Sequence, residues 1–123
     1  MVTGKQTKDN RFYKGYEGEA EVIFAAGGRT LHIWEGYFGD IFGNPIQKDK
    51  GWCGFTKDYN EFIGPFEDEC IEYVLNIPEY LDDAKAYVGR KFDFEESSKV
   101  LDSIILFLEE AEQSNVDVTV SVN

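Results

Sequence analysis

The sequence contains few of the residues that build catalytic and metal-binding sites. In 123 residues there are one histidine, two cysteines and one methionine. Cys53 and Cys70 are not spaced as a CxxC pair, and a zinc site would need more ligands than His32 and these cysteines supply. We therefore predict no metal site and no cofactor. Without a secretory signal, we expect the cysteines to be buried thiols and not a disulfide.

Long apolar stretches are also absent. No segment approaches the roughly 20 apolar residues of a membrane-spanning helix, and the polar start of the chain does not predict a signal peptide. We therefore expect a cytoplasmic protein without membrane contact, with residues 1–11 as a flexible polar arm and residues 12–123 as one domain. Ten Phe, seven Tyr and two Trp residues predict a substantial hydrophobic core.

No motif for nucleotide binding or catalysis is found. Neither GxGxxG nor GxxxxGK[ST] is present, so the glycines between Gly36 and Gly64 do not predict a phosphate-binding loop. His32 has no serine, cysteine or acidic residue at a recognisable motif spacing, and we expect it to be a hydrogen-bonded residue of a β-sheet. The sequence therefore predicts a protein that is not an enzyme.

Basic residues are scarce in the second half of the chain. Residues 1–60 contain eight acidic and eight basic residues, whereas residues 61–123 contain sixteen acidic and four basic residues. The whole net charge of −12 therefore lies after residue 60. This asymmetry disfavours direct binding to nucleic acid and favours association with a basic protein. The alternative is a charged surface that only promotes solubility.

The clearest secondary-structure signal is an amphipathic helix over Phe94–Glu112. Its apolar residues recur at helical spacing on one side, and acidic residues occupy the other side. Asp93 and Glu96 have the spacing of a capping box, which predicts the start of the helix, and Ser114 with Asn115 predicts its end. The apolar side consists of Val100, Leu101, Ile104, Ile105, Phe107, Leu108 and Ala111.

Strand signals occur early in the domain and at its end. Glu19–Ala26 and Arg29–Glu35 are β-prone segments joined by Gly27 and Gly28, which is typical of a β-hairpin. In Val116–Val122, valines alternate with polar residues, which predicts a half-exposed strand.

The middle of the chain is less regular. Tyr37–Phe42 and Trp52–Thr56 are predicted as short strands in a segment rich in glycine and aromatic residues. Phe66–Ile77 has apolar residues at helical spacing, although a buried strand over Ile71–Ile77 fits as well. Another helix is predicted over Glu79–Val88, with Leu81, Ala84 and Val88 facing inward and Asp82 and Asp83 facing outward. The order of elements predicts an α+β fold, with a mostly antiparallel sheet, helices packed on one side and the C-terminal strand returning to the sheet.

The acidic residues after residue 60 are the candidate binding residues. We expect them to form a negative surface, with exposed tyrosines among Tyr73, Tyr80 and Tyr87 as anchors. Leu106 lies among acidic residues on the outer side of the long helix, so it is either covered by another element or available to a partner. The predicted partner-binding residues are Glu67, Asp68, Glu69, Glu72, Asp82, Asp83, Glu95, Glu96, Asp102, Leu106, Glu109 and Glu110.

A small, acidic α+β domain without a catalytic motif resembles the bacterial immunity proteins of contact-dependent growth inhibition and other polymorphic toxin systems. The resemblance implies a tight one-to-one complex with a basic toxin, usually a nuclease domain, in which the active site or an exosite is blocked. The resemblance does not assign a role to any particular residue of this chain.

Two alternatives follow from the same composition. Small inhibitors that mimic nucleic acid, such as anti-CRISPR proteins, have a similar size and charge. A small metal-dependent hydrolase could use paired carboxylates, for which Asp82 with Asp83 and Glu95 with Glu96 are examples.

Overall fold

A computed structural model of the chain describes residues 7–46, 51–67 and 73–123. The described residues form five strands, four α-helices and a 3₁₀ turn at Gly64–Phe66. The α+β class predicted from the sequence is confirmed. In chain order the elements are β1 (Thr7–Phe12), β2 (Glu21–Ala26), β3 (Arg29–Trp34), α1 (Glu35–Phe42), α2 (Gly54–Glu61), β4 (Tyr73–Val74), α3 (Ile77–Lys85), α4 (Ser97–Gln113) and β5 (Thr119–Val122).

The strands form one mixed sheet in the order β1-β3-β2-β5-β4. β1 is parallel to β3, and the other neighbouring strands are antiparallel. Gly27 and Gly28, between β2 and β3, have φ angles of 54° and 82°. Because two-residue hairpin turns favour left-handed backbone at both positions, glycine suits this turn. The predicted hairpin is confirmed, and the C-terminal strand β5 returns to the sheet between β2 and β4.

The helices pack on one face of the sheet. Phe24 of β2 is in ring contact with Phe38 of α1, Phe55 of α2 and Phe107 of α4. α3 packs on α2 and α4. The predicted placement of the helices is therefore confirmed. The sheet residues on this face are almost completely buried: Val22, Phe24, Leu31, Ile33, Val120 and Val122.

The start of the long helix differs from the prediction. α4 begins at Ser97, and its N-cap Glu96 makes no side-chain capping hydrogen bond. Instead, the carboxylate of Asp40, at the end of α1, accepts hydrogen bonds from the Asp93 and Phe94 backbone N–H groups (3.1 and 2.9 Å) and the buried Ser97 hydroxyl (2.6 Å). The predicted capping box is therefore wrong. The two N–H groups that Asp40 binds precede the helix, so Asp40 fixes this segment and the first helical residue, Ser97, to α1.

The other predictions for the long helix agree with the structure. The helix ends at Gln113 with Ser114 as its C-cap, and Asn115 takes a left-handed conformation with φ 57°. The predicted apolar side is buried, except that Ile105 is only partly buried.

The two short strands predicted after the hairpin are wrong. Tyr37–Phe42 lies in helix α1, and Thr56 lies in helix α2. Within α1, Tyr37, Phe38, Ile41 and Phe42 fall on one helical face and are buried. A Cβ added to Gly39 would lie 2.4 Å from the Tyr59 hydroxyl oxygen. Glycine is therefore needed for close helix packing and does not indicate a strand.

The segment Phe66–Ile77 is predicted as a helix from its sequence, but its described residues do not form one continuous helix. Tyr73 and Val74 form β4, so the alternative of a strand is confirmed for these two residues, although they are exposed and not buried as predicted. Residues 68–72 lie outside the described part of the chain. α3 covers most of the next predicted helix but starts at Ile77. The predicted inward position of Val88 is wrong, since this side chain is 57% exposed.

The beginning of the chain is more regular than predicted. Residues 7–12 form β1, whose register with β3 pairs Thr7 with Arg29 and Phe12 with Ile33. The prediction of a flexible arm is therefore wrong for residues 7–11, while residues 1–6 lie outside the described part. None of the helices in the described ranges is long and apolar enough to cross a membrane.

Candidate protein-binding surface

The first group of predicted binding residues can be placed only in part. Glu67 is exposed directly after the 3₁₀ turn. Asp68, Glu69 and Glu72 lie outside the described residues. Their role therefore stays a prediction from the sequence.

The acidic residues of α3 have different surroundings. Asp82 is exposed, whereas Asp83 is half-buried, so the outward orientation predicted for Asp83 is wrong. The Asp83 carboxylate accepts hydrogen bonds from the backbone N–H and the hydroxyl of Thr56, both at 2.9 Å. Glu79 accepts a hydrogen bond from the Gly54 N–H at 3.0 Å. Glu79 and Asp83 thus bind N–H groups of the first turn of α2, which would otherwise lack partners.

Burial dominates the electrostatics of Asp83. It raises the pKa of this carboxyl group despite the hydrogen bonds from Thr56, and the nearby charge of Glu79 raises the pKa further. The thiol of Cys53 has a raised pKa because of partial burial and the charges of Asp83, Glu79 and Asp82. Cys53 itself is exposed, so its predicted burial is wrong, and Cys70 lies outside the described residues. The junction of α2 and α3 is therefore strongly negative.

Two of the three tyrosines considered as binding anchors are in the core. The Tyr80 hydroxyl donates to Asp58 Oδ2 at 2.5 Å, and the Tyr87 hydroxyl lies 2.7 Å from Thr56 Oγ1. Both side chains are buried, so they cannot serve as exposed anchors. Tyr73 is 36% exposed, and it alone of the three remains a candidate anchor.

The outer side of α4 brings four of the predicted residues together. Asp102, Leu106, Glu109 and Glu110 are spaced along one side of this helix, and we call them the α4 outer surface. Leu106 is 55% exposed. No other element within the described ranges covers it, which leaves its apolar side chain available to a partner.

Part of the negative charge on this surface is balanced. Glu110 pairs with Arg29 at 2.8 Å and Glu109 pairs with Lys85 at 3.2 Å. These ion pairs are about half-exposed and contribute little stability, so a partner can replace them at small cost. No ion pair of Asp102 occurs within the described ranges. Nearer the start of the helix, Glu95 is exposed and Glu96 lies 3.5 Å from Lys99.

A groove runs between α4 and the edge strand β1. It has a volume of about 230 Å³, and Leu106, Ser103 and Phe107 line its helical side. The opposite side includes Asp9 of β1 and Arg29, whose guanidinium lies 4.8 Å from the centre of the Phe107 ring. The exposed leucine therefore borders a concave surface, which favours contact with a protruding side chain of another protein.

The histidine is engaged within the sheet, as predicted. His32 Nδ1 lies 2.9 Å from Glu21 Oε2, and His32 Nε2 lies 3.0 Å from Thr30 Oγ1. Across residues 7–46, 51–67 and 73–123, no three His, Cys, Asp or Glu residues are close enough together to hold a metal ion.

Comparison with known proteins identifies no relative of this two-layer α+β domain. No protein family, curated protein or solved structure matches the chain.

Proposed function

We propose that this chain is a non-enzymatic cytoplasmic binding protein that holds a basic protein partner through its acidic second half. Within this class, we propose that it is an immunity protein that neutralises a toxin, with a nuclease domain as the bound part. The exposed Leu106 within the acidic α4 outer surface carries the proposal. A leucine flanked by carboxylates suits an interface with an apolar centre and charged surroundings.

The two kinds of residue have different roles in such a complex. Asp102, Glu109 and Glu110 attract a basic surface and increase the association rate, an effect that salt weakens. Leu106 is already partly buried, so covering the rest of its side chain contributes about 1 kcal/mol, which corresponds to a roughly fivefold change in the dissociation constant. Charge therefore selects the partner, and apolar contact holds it.

A pair of matched variants tests the location of the interface. Leu106→Lys and Val88→Lys each replace an apolar side chain of similar exposure, 55% and 57%, with a lysine. They change the net charge equally, but only the first lies on the α4 outer surface. We expect Leu106→Lys to weaken partner binding by about tenfold or more, because it removes the apolar contact and adds repulsion of a basic surface. Val88→Lys should bind like the wild type.

Each protein is tagged and incubated with a lysate of the source organism at low and at high salt, and the retained proteins are identified by mass spectrometry. A stoichiometric basic protein that is weakened by salt and lost with Leu106→Lys is expected. The purified partner should show nuclease activity that an equimolar amount of this protein inhibits. Retention of no partner at either salt concentration, or equal retention by both variants, would contradict the proposal. Displacement of this protein by duplex DNA would indicate a nucleic-acid mimic instead.

A further inference from the structure

A second concave site lies between the start of α2 and the end of α3. The cavity has a volume of about 210 Å³. Ile46 and Trp52 line one side, and Ala86 and Tyr87 line the other. Its walls are therefore mostly apolar and aromatic, and they come from both halves of the chain.

The charged groups that line the cavity among the described residues are carboxylates. Asp82 and Asp83 both line it, together with the Thr56 side chain that Asp83 binds. Asp82 is exposed, and no hydrogen bond or ion pair of its side chain occurs within the described ranges. A carboxylate has about four acceptor positions, so Asp83 can accept further hydrogen bonds beside those from Thr56. A cation entering the cavity would thus meet two carboxylates.

The shape and the charge together favour one kind of ligand. An arginine side chain has an apolar stem and a planar guanidinium group that stacks on aromatic rings and donates several hydrogen bonds to carboxylates. The partly buried Trp52 side chain next to two carboxylates matches both parts, and the buried Tyr87 closes the cavity on its inner side. A lysine ammonium is more strongly hydrated and gains less from an aromatic wall, so arginine is the better fit.

We propose that this cavity binds the side chain of an arginine on the basic partner. The inference rests on the proposed function, which requires a basic partner, and it names one contact that this partner makes. The α4 outer surface and the cavity would then be two separate contact points.

The test uses a small probe and does not require the partner. N-acetyl-L-argininamide is titrated into the ¹⁵N-labelled protein, and amide chemical shifts are followed by NMR. N-acetyl-L-citrullinamide, which has nearly the same shape but no charge, is the matched probe. We expect saturable shifts centred on Thr56, Asp83 and Ala86, with a dissociation constant on the order of millimolar for a fragment of this size. Citrulline should bind at least about tenfold more weakly.

Variants separate the cavity from general charge attraction. Asp82→Asn should weaken arginine binding by about fivefold or more, and Ala86→Phe should abolish it by filling the space. Glu112→Gln removes the same charge at an exposed position away from the cavity and should leave binding unchanged. Circular dichroism of each variant verifies the fold, and Asp82→Asn gives a second test if Ala86→Phe does not fold.

The outcomes distinguish this inference from the proposed function. Shifts that do not saturate, that are equal for citrulline, or that spread over all acidic surfaces would overturn the arginine site. A partner that is retained from the lysate equally by the wild type and Asp82→Asn would also overturn it, while leaving the proposed function intact. Saturable arginine binding that Asp82→Asn weakens supports the site even if the lysate yields no partner, a result that would contradict the proposed function alone.

Discussion

Asp40 is expected to stabilise the fold because its carboxylate connects α1 to a segment more than 50 residues away in the chain. It lies at the end of α1 and is half-buried, and its carboxylate accepts hydrogen bonds from Asp93 N, Phe94 N and Ser97 Oγ. The Asp40→Ala substitution removes all three acceptor contacts at once. The two N–H groups of the segment before α4 would then lack their acceptor, and the link between α1 and Ser97 of α4 would be lost.

The size of the effect follows from two contributions. Loss of the carboxylate that accepts from the Asp93 and Phe94 N–H groups costs about 1–2 kcal/mol, because both donors are at exposed residues and can bind water instead. The Ser97 hydroxyl is completely buried, and leaving such a donor without its acceptor costs about 1–3 kcal/mol. Partial rearrangement of the Ser97 side chain reduces the second contribution, so we expect a loss of about 3 kcal/mol in the free energy of unfolding. For a domain of this size, that lowers the melting temperature by about 10 °C.

The control is Asp93→Ala, at the position that the sequence pattern predicts as the cap. The Asp93 side chain makes no hydrogen bond within the described ranges, so its removal should cost less than about 0.5 kcal/mol. Both variants are compared with the wild type by urea unfolding, which is monitored by circular dichroism and by tryptophan fluorescence. A loss with Asp93→Ala that equals or exceeds the loss with Asp40→Ala would refute the stabilising role of the Asp40 carboxylate. Asp40→Asn, which keeps one acceptor oxygen, should give an intermediate loss.

Two further predictions concern buried contacts. Alanine usually stabilises a helix by about 0.5–1 kcal/mol relative to glycine, but Gly39→Ala should destabilise by about 1–3 kcal/mol because of the contact with the Tyr59 hydroxyl. In a Tyr59→Phe background the nearest ring atom would be 3.2 Å away, so a double-mutant cycle measured by urea unfolding should show a smaller loss. The pKa of Asp58 is raised, because the effect of burial exceeds the opposite effect of the hydrogen bond from Tyr80. Between the unfolded and the raised folded pKa the folded state binds more protons, so this group's contribution to stability decreases as pH rises. The stability of Asp58→Asn relative to the wild type should therefore increase from about pH 4 to about pH 7, and a pH-independent difference in urea unfolding would contradict this reasoning.

Helix capping shows where local sequence rules fail in this protein. The pair Asp93 and Glu96 fits the pattern of a capping box, yet α4 begins at Ser97 without a side-chain cap, and Asp40 binds the segment before it. At α2, the residues that bind the first N–H groups are Glu79 and Asp83 of α3. A capping rule considers residues within one turn of the helix start, so it cannot detect a carboxylate that the fold brings from a distant part of the chain.

The same limit affects the candidate binding residues. The sequence does not distinguish the adjacent residues Asp82 and Asp83. In the structure, Asp82 is exposed, whereas Asp83 is half-buried and caps α2. Tyr80 and Tyr87 could be surface anchors by composition, but hydrogen bonds to Asp58 and Thr56 hold them in the core. Leu106 could be identified because its exposure depends on the angular position along one regular helix.

The sequence by itself determined the features that depend on a regular period or on composition. The hairpin, the long helix, the terminal strand and the excess of acids after residue 60 can be recognised from neighbouring residues, because apolar spacing reports directly which side of an element is buried. Tertiary structure decided the helical state of the glycine-rich segment and the pairing of β1 beside β3. It also decided which carboxylates cap helices and which remain exposed, since these outcomes depend on contacts between residues far apart in the chain, and local propensity contains no information about them.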